Sequence, residues 1–213
     1  MTSRANHHRS APDRLEVALG AYRSPDAGAW SRARDELARR AGAEGLVDVA
    51  FERHESPLGA ILVGATDEGV VRIGLPAEDE DEVLEDLARR ISIRVLNAPR
   101  DSVTRTRRQL DEYFSGRRTA FDVPLDWQLT HGFRREVLRA TAAIPYGQTS
   151  SYRRVATQAG SPAAVRAAGT ALATNPLPIV VPCHRVLRTD GKVGSYRGGP
   201  EAKSRLLDLE RRA

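Results

Sequence analysis

The sequence predicts an α+β protein, a small sheet-and-helix domain followed by a helical one, and three observations carry that reading. The hydrophobic period is two from Leu46 to Leu75 and turns helical after it. Charge divides along the chain: residues 1–124 hold 19 Arg against 22 Asp+Glu, whereas residues 125–213 hold 14 Lys+Arg against 6 Asp+Glu, so the first part is −3 and the second +8. A length of 213 residues suits two small domains, each able to bury a core. The expected bounds are an extension over 1–43, an α+β domain over 44–124 and a basic domain over 125–213.

In the extension, RLEVALGAY (14–22) and GAWSRARDELARRAG (28–42) read as helices, the second with Trp30, Ala33, Leu37 and Ala41 on one face and Gly42 as its cap. LVDVAFERH then alternates, with Val47, Val49 and Phe51 inward. SPLG turns the chain, and AILVGAT and VVRIGL flank DEG, completing a three-stranded meander. PAEDEDEVLEDLARRI is an amphipathic helix on Val83, Leu84, Leu87 and Ile91, its acids a solvated face. SVTRTRRQLDEYFSG is a further helix closing on Gly116, and RRTAFDVPLDW leads out extended.

In the basic half, FRREVLRATAAI is amphipathic, PYGQT is a loop, and SSYRRVATQAG has a Ser cap and a terminal Gly. Ser161 and Pro162 should start the next helix, AAVRAAGTALAT, which Asn175 and Pro176 stop. Two short helices about a glycine turn fit a helix-turn-helix and, equally, an ordinary helical hairpin. The second is nearly bare of side chains, with Ala164, Ala167 and Gly169 among its small residues and Arg166 its single long one. Such a surface suits tight helix packing or a DNA groove that one side chain enters as a wedge. The basic balance likewise fits either a polyanion partner or plain solubility.

The single cysteine, Cys183, follows LPIVVP, a buried-strand pattern. One thiol permits no internal disulfide and no cysteine-rich metal cluster, which points to a reducing compartment, the cytoplasm. No run approaches the roughly 18 apolar residues of a membrane span, and the start lacks the apolar core of a secretory signal. A lone apolar Cys is usually inert packing, but His184 beside it offers a base, and a thiol with a pKa of about 8.5 needs one to be a nucleophile near neutrality. Adjacent side chains on a strand face opposite ways. The chain at 182–184 must therefore leave strand geometry, or a water must join the two groups.

VPCHRV, preceded by NPLPI and followed by GSYRGG, resembles the active-site signature of the O6-alkylguanine-DNA alkyltransferases, the methylated-DNA–protein-cysteine methyltransferases, with Val181 in place of an Ile. IPYGQTSSY and SPAAVRAAGTALATNP stand in matching order and spacing, and the SPLG meander is similar to the family's N-terminal domain; residues 1–43 lie outside the likeness. The resemblance implies a ribonuclease-H-like N-terminal domain, a winged-helix-like DNA-binding catalytic domain, and O6-alkylguanine in double-stranded DNA as substrate. It implies Cys183 as alkyl acceptor, His184 as base, Glu210 orienting the imidazole, Asn175 fixing the active-site turn, and Lys203 aiding departure of the guanine anion. Toward DNA it implies Arg166 filling the place of the flipped nucleotide and Tyr152 crowding a phosphate, on the helix surface that includes Ala164, Ala167 and Gly169. Toward the base it implies Tyr196 on a ring nitrogen, the backbone at Cys183, Val186 and Arg197 reading its edge, and Leu172 and Gly198 in the pocket wall.

No cofactor is expected, and no zinc, because the cysteines that hold zinc in some relatives are missing and His7 and His8 read as tail. Gly198 and Gly199 stand where some bacterial relatives carry a bulky residue, which points to a wider pocket lip. The expected protein is a monomer that acts once per molecule. Two rivals are a non-catalytic lesion-binding module, which would lack the Cys, and a Cys-His hydrolase, which would turn over.

Overall fold

The computed structural model describes residues 26–191 and 193–212. The helix expected over RLEVALGAY, and His7 and His8, lie outside the described residues. The described chain divides into two units, one ending at Leu37 and the other beginning at Ala38.

Helix α1 (Ala27–Ala43) is present as expected, with Trp30, Ala33 and Leu37 exposed. Within the second unit Ala38 and Ala41 are buried with Val47, Ala50 and Ala98, small side chains that let helix and strand backbones approach. Gly42 is inside the helix. The helix ends instead at Gly45, whose φ of +68° favours glycine; Leu46 N–H returns to Ala41 O at 2.8 Å and Gly45 N–H to Gly42 O at 3.2 Å, a Schellman ending.

The expected meander is present as β1 (Val49–Ser56), β2 (Gly59–Ala65) and β3 (Val70–Gly74), all antiparallel. Ser56 makes the first turn: its hydroxyl donates to Gly59 O at 2.7 Å and accepts from Leu58 N at 3.1 Å. A fourth strand, β4 (Val95–Asn97), lies parallel beside β1 and was not expected, because three residues carry no readable period. The connection before it is α2 (Glu80–Arg90), capped by Asp79, which accepts from Asp81 N and Glu82 N. Acids fill the first turn of α2 and Arg89 and Arg90 its last, both favourable to the helix dipole. Helix α3 (Asp101–Phe114) covers the sheet with Val103, Leu110 and Tyr113 and ends before Gly116, at φ +72°.

Edge strand β3 is covered by the outgoing chain. Val70 N donates to Pro124 O at 2.9 Å and Asp126 N to Val70 O at 2.8 Å. Beyond lie α4 (Gly132–Ala142), a two-residue strand β5 (Ser150–Ser151), α5 (Tyr152–Gln158), α6 (Val165–Ala173), β6 (Val186–Leu187) parallel to β5, and α7 (Gly199–Arg212). Ser151 caps α5 by accepting from Arg154 N, and Gly160 at φ +85° turns the chain toward α6. Ser161 and Pro162 do not start α6: they form a turn closed by Ala164 N–H to Ser161 O, and the helix begins at Val165.

LPIVVP is buried but is a compact turn rather than a strand, held by bonds from Val180 N to Pro178 O and from Val181 N to Leu177 O. Apolar residues in such a turn look like a strand because they are buried on every side. One core joins Ile61, Val63, Ile73 and Leu75 of the sheet to Val137, Leu138, Ala168, Leu172, Val181 and Cys183. The thiol therefore sits where sheet and helices share a core.

Gly69, in the turn between β2 and β3, has φ +142°, and a Cβ there would overlap the Pro124 carbonyl. Gly69→Ala is expected to cost about 3 kcal/mol of unfolding free energy in urea, through strain and the lost close approach. Wild-type stability in that variant would contradict the packing described.

Candidate active site

Cys183 opens a single 3₁₀ turn (Cys183–Arg185), so the backbone does leave strand geometry at the thiol. The turn before it is strained at Ile179, a β-branched residue at φ +72°, and such a conformation persists only where its surroundings impose it. Asn175 is the tie: its Nδ2 donates to Val181 O at 2.9 Å and to Cys183 Sγ at 3.2 Å, while its Oδ1 accepts from Leu177 N at 3.0 Å. The next residue's carbonyl, Pro176 O, accepts from Ile73 N of β3 at 2.8 Å. The turn thus hangs on both domains.

Burial pushes the Cys183 thiol above its ordinary pKa, opposed by the Asn175 amide and the Lys203 charge. The resting group is a protonated thiol. His184 is fully buried, and burial pushes its pKa down against the pull of Glu210, leaving it neutral. Its Nε2 lies 2.9 Å from Glu210 Oε1. A carboxylate only accepts, so Nε2 carries the proton and Nδ1 is the basic nitrogen. Nδ1 has no protein partner.

Glu210, on α7, is the hub. Tyr113 Oη donates to Oε1 at 2.6 Å, Arg185 Nη2 to Oε1 at 2.8 Å, Arg185 Nε to Oε2 at 2.9 Å, and Gly147 N to Oε2 at 3.2 Å. Burial alone would raise its pKa, but the bonds from His184, Arg185 and Tyr113 hold it near 2. Arg185 is itself anchored to Ile144 O at 2.6 Å.

Lys203, also on α7, is fully buried and donates to Val186 O at 2.7 Å. Burial lowers its pKa, opposed by the nearby Cys183. The Tyr196 ring stands edge-on to His184, centroids 6.4 Å apart, and its hydroxyl has no protein partner. Val186 is buried beside them and Leu172 is a core residue of α6. The Arg197 side chain turns away to Glu78, at 2.6 Å, which also pairs with buried Arg72. Gly198 is not an open lip: a Cβ there would come within 2.9 Å of Leu75 Cδ1 and 3.0 Å of Tyr196 Cε1. The chain just before α7 thus lies close to Leu75 of the N-terminal domain, whereas at Gly199, with φ +83°, a Cβ would meet nothing within 4 Å.

The residues expected to meet DNA lie on α5, on α6 and in the turn before α6. Arg166 and Ala167 are exposed, and Ala164 and Gly169 half-buried. Tyr152 is half-buried, its ring against Gly169 and its hydroxyl against Gly194, where any side chain would collide with it. The sequence reading missed Tyr113 and Arg185. Arg185 stood in the motif beside His184, and Tyr113 in the helix closing on Gly116, but their shared partner Glu210 was not readable across 25 and 97 residues of chain.

A helical domain that buries one thiol beside an imidazole–carboxylate pair, packed on a mixed four-stranded sheet, defines a protein arranged for chemistry at a cysteine. Residues 49–127 match the ribonuclease-like domain of the 6-O-methylguanine DNA methyltransferase family models, and residues 132–212 match the DNA-binding domain. The inducible methylated-DNA–protein-cysteine methyltransferase of Bacillus subtilis is 39% identical over 151 residues, 71% of this chain and 84% of that protein. Its counterpart in Mycolicibacterium paratuberculosis is 51% identical over 104 residues, 49% of this chain and 62% of that protein. Among solved structures, Mycobacterium tuberculosis OGT in complex with DNA superimposes with a TM-score of 0.65 at 33% identity, covering 76% of this chain and 93% of that one. The chain belongs to the methylated-DNA–protein-cysteine methyltransferase family, with a ribonuclease-like domain preceding a helical DNA-binding domain.

Two buried groups give the fold an acid limit. Because the His184 pKa is lowered, the unfolded chain takes up a proton that the folded one refuses below about pH 6.5, and stability starts to fall there. Glu210 stabilises fully above 4.5, its ordinary value, and loses that contribution as pH drops through about 2, a loss on the order of 3 kcal/mol. Urea unfolding is expected to show a decline beginning in the weakly acidic range and steepening below pH 4.5, the second part absent in Glu210→Gln. A flat profile in the wild type would contradict the buried pair.

Proposed function

We propose that the protein repairs O6-alkylguanine in duplex DNA by moving the alkyl group, irreversibly and once per molecule, onto Cys183. The observation that carries this reading is the buried thiol of Cys183, bonded to Asn175 and set next to a neutral His184 whose free Nδ1 faces no protein donor. The thiol proton passes to Nδ1, through a water given that no direct bond joins the two side chains among those described. Glu210 stabilises the imidazolium that forms. The thiolate then attacks the alkyl carbon: a carbon–sulfur bond forms, the carbon–O6 bond breaks, and the electron pair leaves with the guanine. Lys203 offsets that developing charge, and Tyr196, with its unpaired hydroxyl, bonds the ring nitrogen of the everted base. A thioether has no route back by water, so one event spends the molecule.

The substrate base is stacked in a duplex and must be extruded. The bare surface at Ala164, Ala167 and Gly169 supports a close approach to the groove, Arg166 fills the vacated stack, and Tyr152 presses on the phosphate. The backbone at Cys183, Val186 and Arg197 reads the base edge, with Leu172 and Gly198 behind it. We take 1–43, 44–124 and 125–213 as the functional segments, and the cytoplasm as the site of action of a monomer. Among the described residues no helix is long and apolar enough to cross a membrane, and no cluster of three or more His, Cys, Asp or Glu could hold a metal.

Intact-mass measurement after mixing with an O6-methylguanine duplex is expected to show the gain of one methyl group, mapped to Cys183, stopping at one equivalent; Cys183→Ser gains none. An unchanged mass, or many lesions processed per molecule as in a Cys-His hydrolase, would overturn the reading. Arg166→Ala is expected to slow duplex repair roughly tenfold or more while sparing reaction with an O6-alkylguanine free base, which needs no flipping. Equal losses on both would remove the wedge role.

A further inference from the structure

We infer that Tyr113, carried by the N-terminal domain, is a positioning residue of the alkyl-transfer site, holding His184 in its basic, neutral form by sharing the Glu210 oxygen that the imidazole uses. Resting on the function proposed above, the inference makes the ribonuclease-like domain a contributor to the proton relay as well as its support.

The geometry is specific. Tyr113 is fully buried on α3, its ring held by Phe114, Phe121 and Tyr146 at centroid distances of 5.5, 5.4 and 6.0 Å. Its hydroxyl reaches Glu210 Oε1 at 2.6 Å, closer than His184 Nε2 at 2.9 Å or Arg185 Nη2 at 2.8 Å. Arg185 Nε adds a longer contact to the same oxygen at 3.2 Å, and because a carboxylate oxygen has two lone pairs, these donors from three residues compete. Burial and the Glu210 charge push the Tyr113 pKa far up, so it donates at every working pH.

The competition has a direction. A carboxylate with only histidine to bond would draw the imidazole toward the charged form, and an imidazolium cannot take the thiol proton. Donation from Tyr113 and Arg185 satisfies the carboxylate and leaves His184 bonded but neutral. The other charged or titratable groups facing this pair are Lys203 and Arg185, which also disfavour imidazolium, Cys183, and the Tyr146 and Tyr196 hydroxyls. None of these comes from the N-terminal domain. Tyr113 is that domain's one bonded contact to Glu210 among the described residues.

Tyr113→Phe keeps the ring packing and removes the donor. In the full chain, NMR titration of the His184 imidazole is expected to show its pKa rising by about half a unit to one unit. The acid limb of the single-turnover rate on O6-methylguanine duplex should move up in pH by the same amount, since the rate needs neutral histidine. Replacing Tyr113 by 3-fluorotyrosine, a stronger donor of nearly the same shape, should move both midpoints down and serves if the Phe variant folds poorly. Unmoved midpoints in the folded variants, with rates merely scaled, would overturn the inference while wild-type transfer stands. A wild type that transfers nothing would instead remove the proposed function, and the histidine titration would still judge the Tyr113–His184 coupling.

Discussion

A carboxylate taken out of water must be repaid in hydrogen bonds, and nearly everything around the thiol follows from how Glu210 meets that demand. Its two oxygens collect donors from Tyr113 on α3, His184 and Arg185 in the 3₁₀ turn, and the Gly147 amide in the loop after α4. Elements distant in sequence are thereby brought to one point. Because breaking one partner of a buried ionic network leaves the others unsatisfied, the same bonds that orient the imidazole also tie α7 to both domains.

The second constraint is the turn from Asn175 to Cys183. Its left-handed Ile179 is unfavourable, and the three bonds of the Asn175 side chain, with Ile73 N on Pro176 O, are what hold it. An edge strand of the sheet thus supports the backbone that presents the thiol. Burial keeps that thiol protonated at rest, which protects it until a base is in place to accept the proton. The exposed face of α6, by contrast, bears few structural duties, in keeping with a surface left clear for a partner.

The meander, α2, α3 and the helix pair α5–α6 were legible in the sequence because each has a local cause: alternation, an N-cap, a glycine at positive φ. The errors have causes as well. LPIVVP reads as a strand because burial on all sides leaves no period, Ser161-Pro162 begins a turn whose closing bond only the fold reveals, and β4 is too short to signal itself.

Family membership, the reactive thiol and its histidine neighbour were determined by the sequence alone, since they are carried by contiguous motifs whose chemistry is written in residue type. Only the tertiary structure decided which oxygen of Glu210 each donor reaches, that Arg197 turns to Glu78, that Gly198 is a close-packing position, and that Tyr113 enters the site from the other domain. Those are facts of distance between segments far apart in the chain, and no local pattern of side chains encodes a distance across a core.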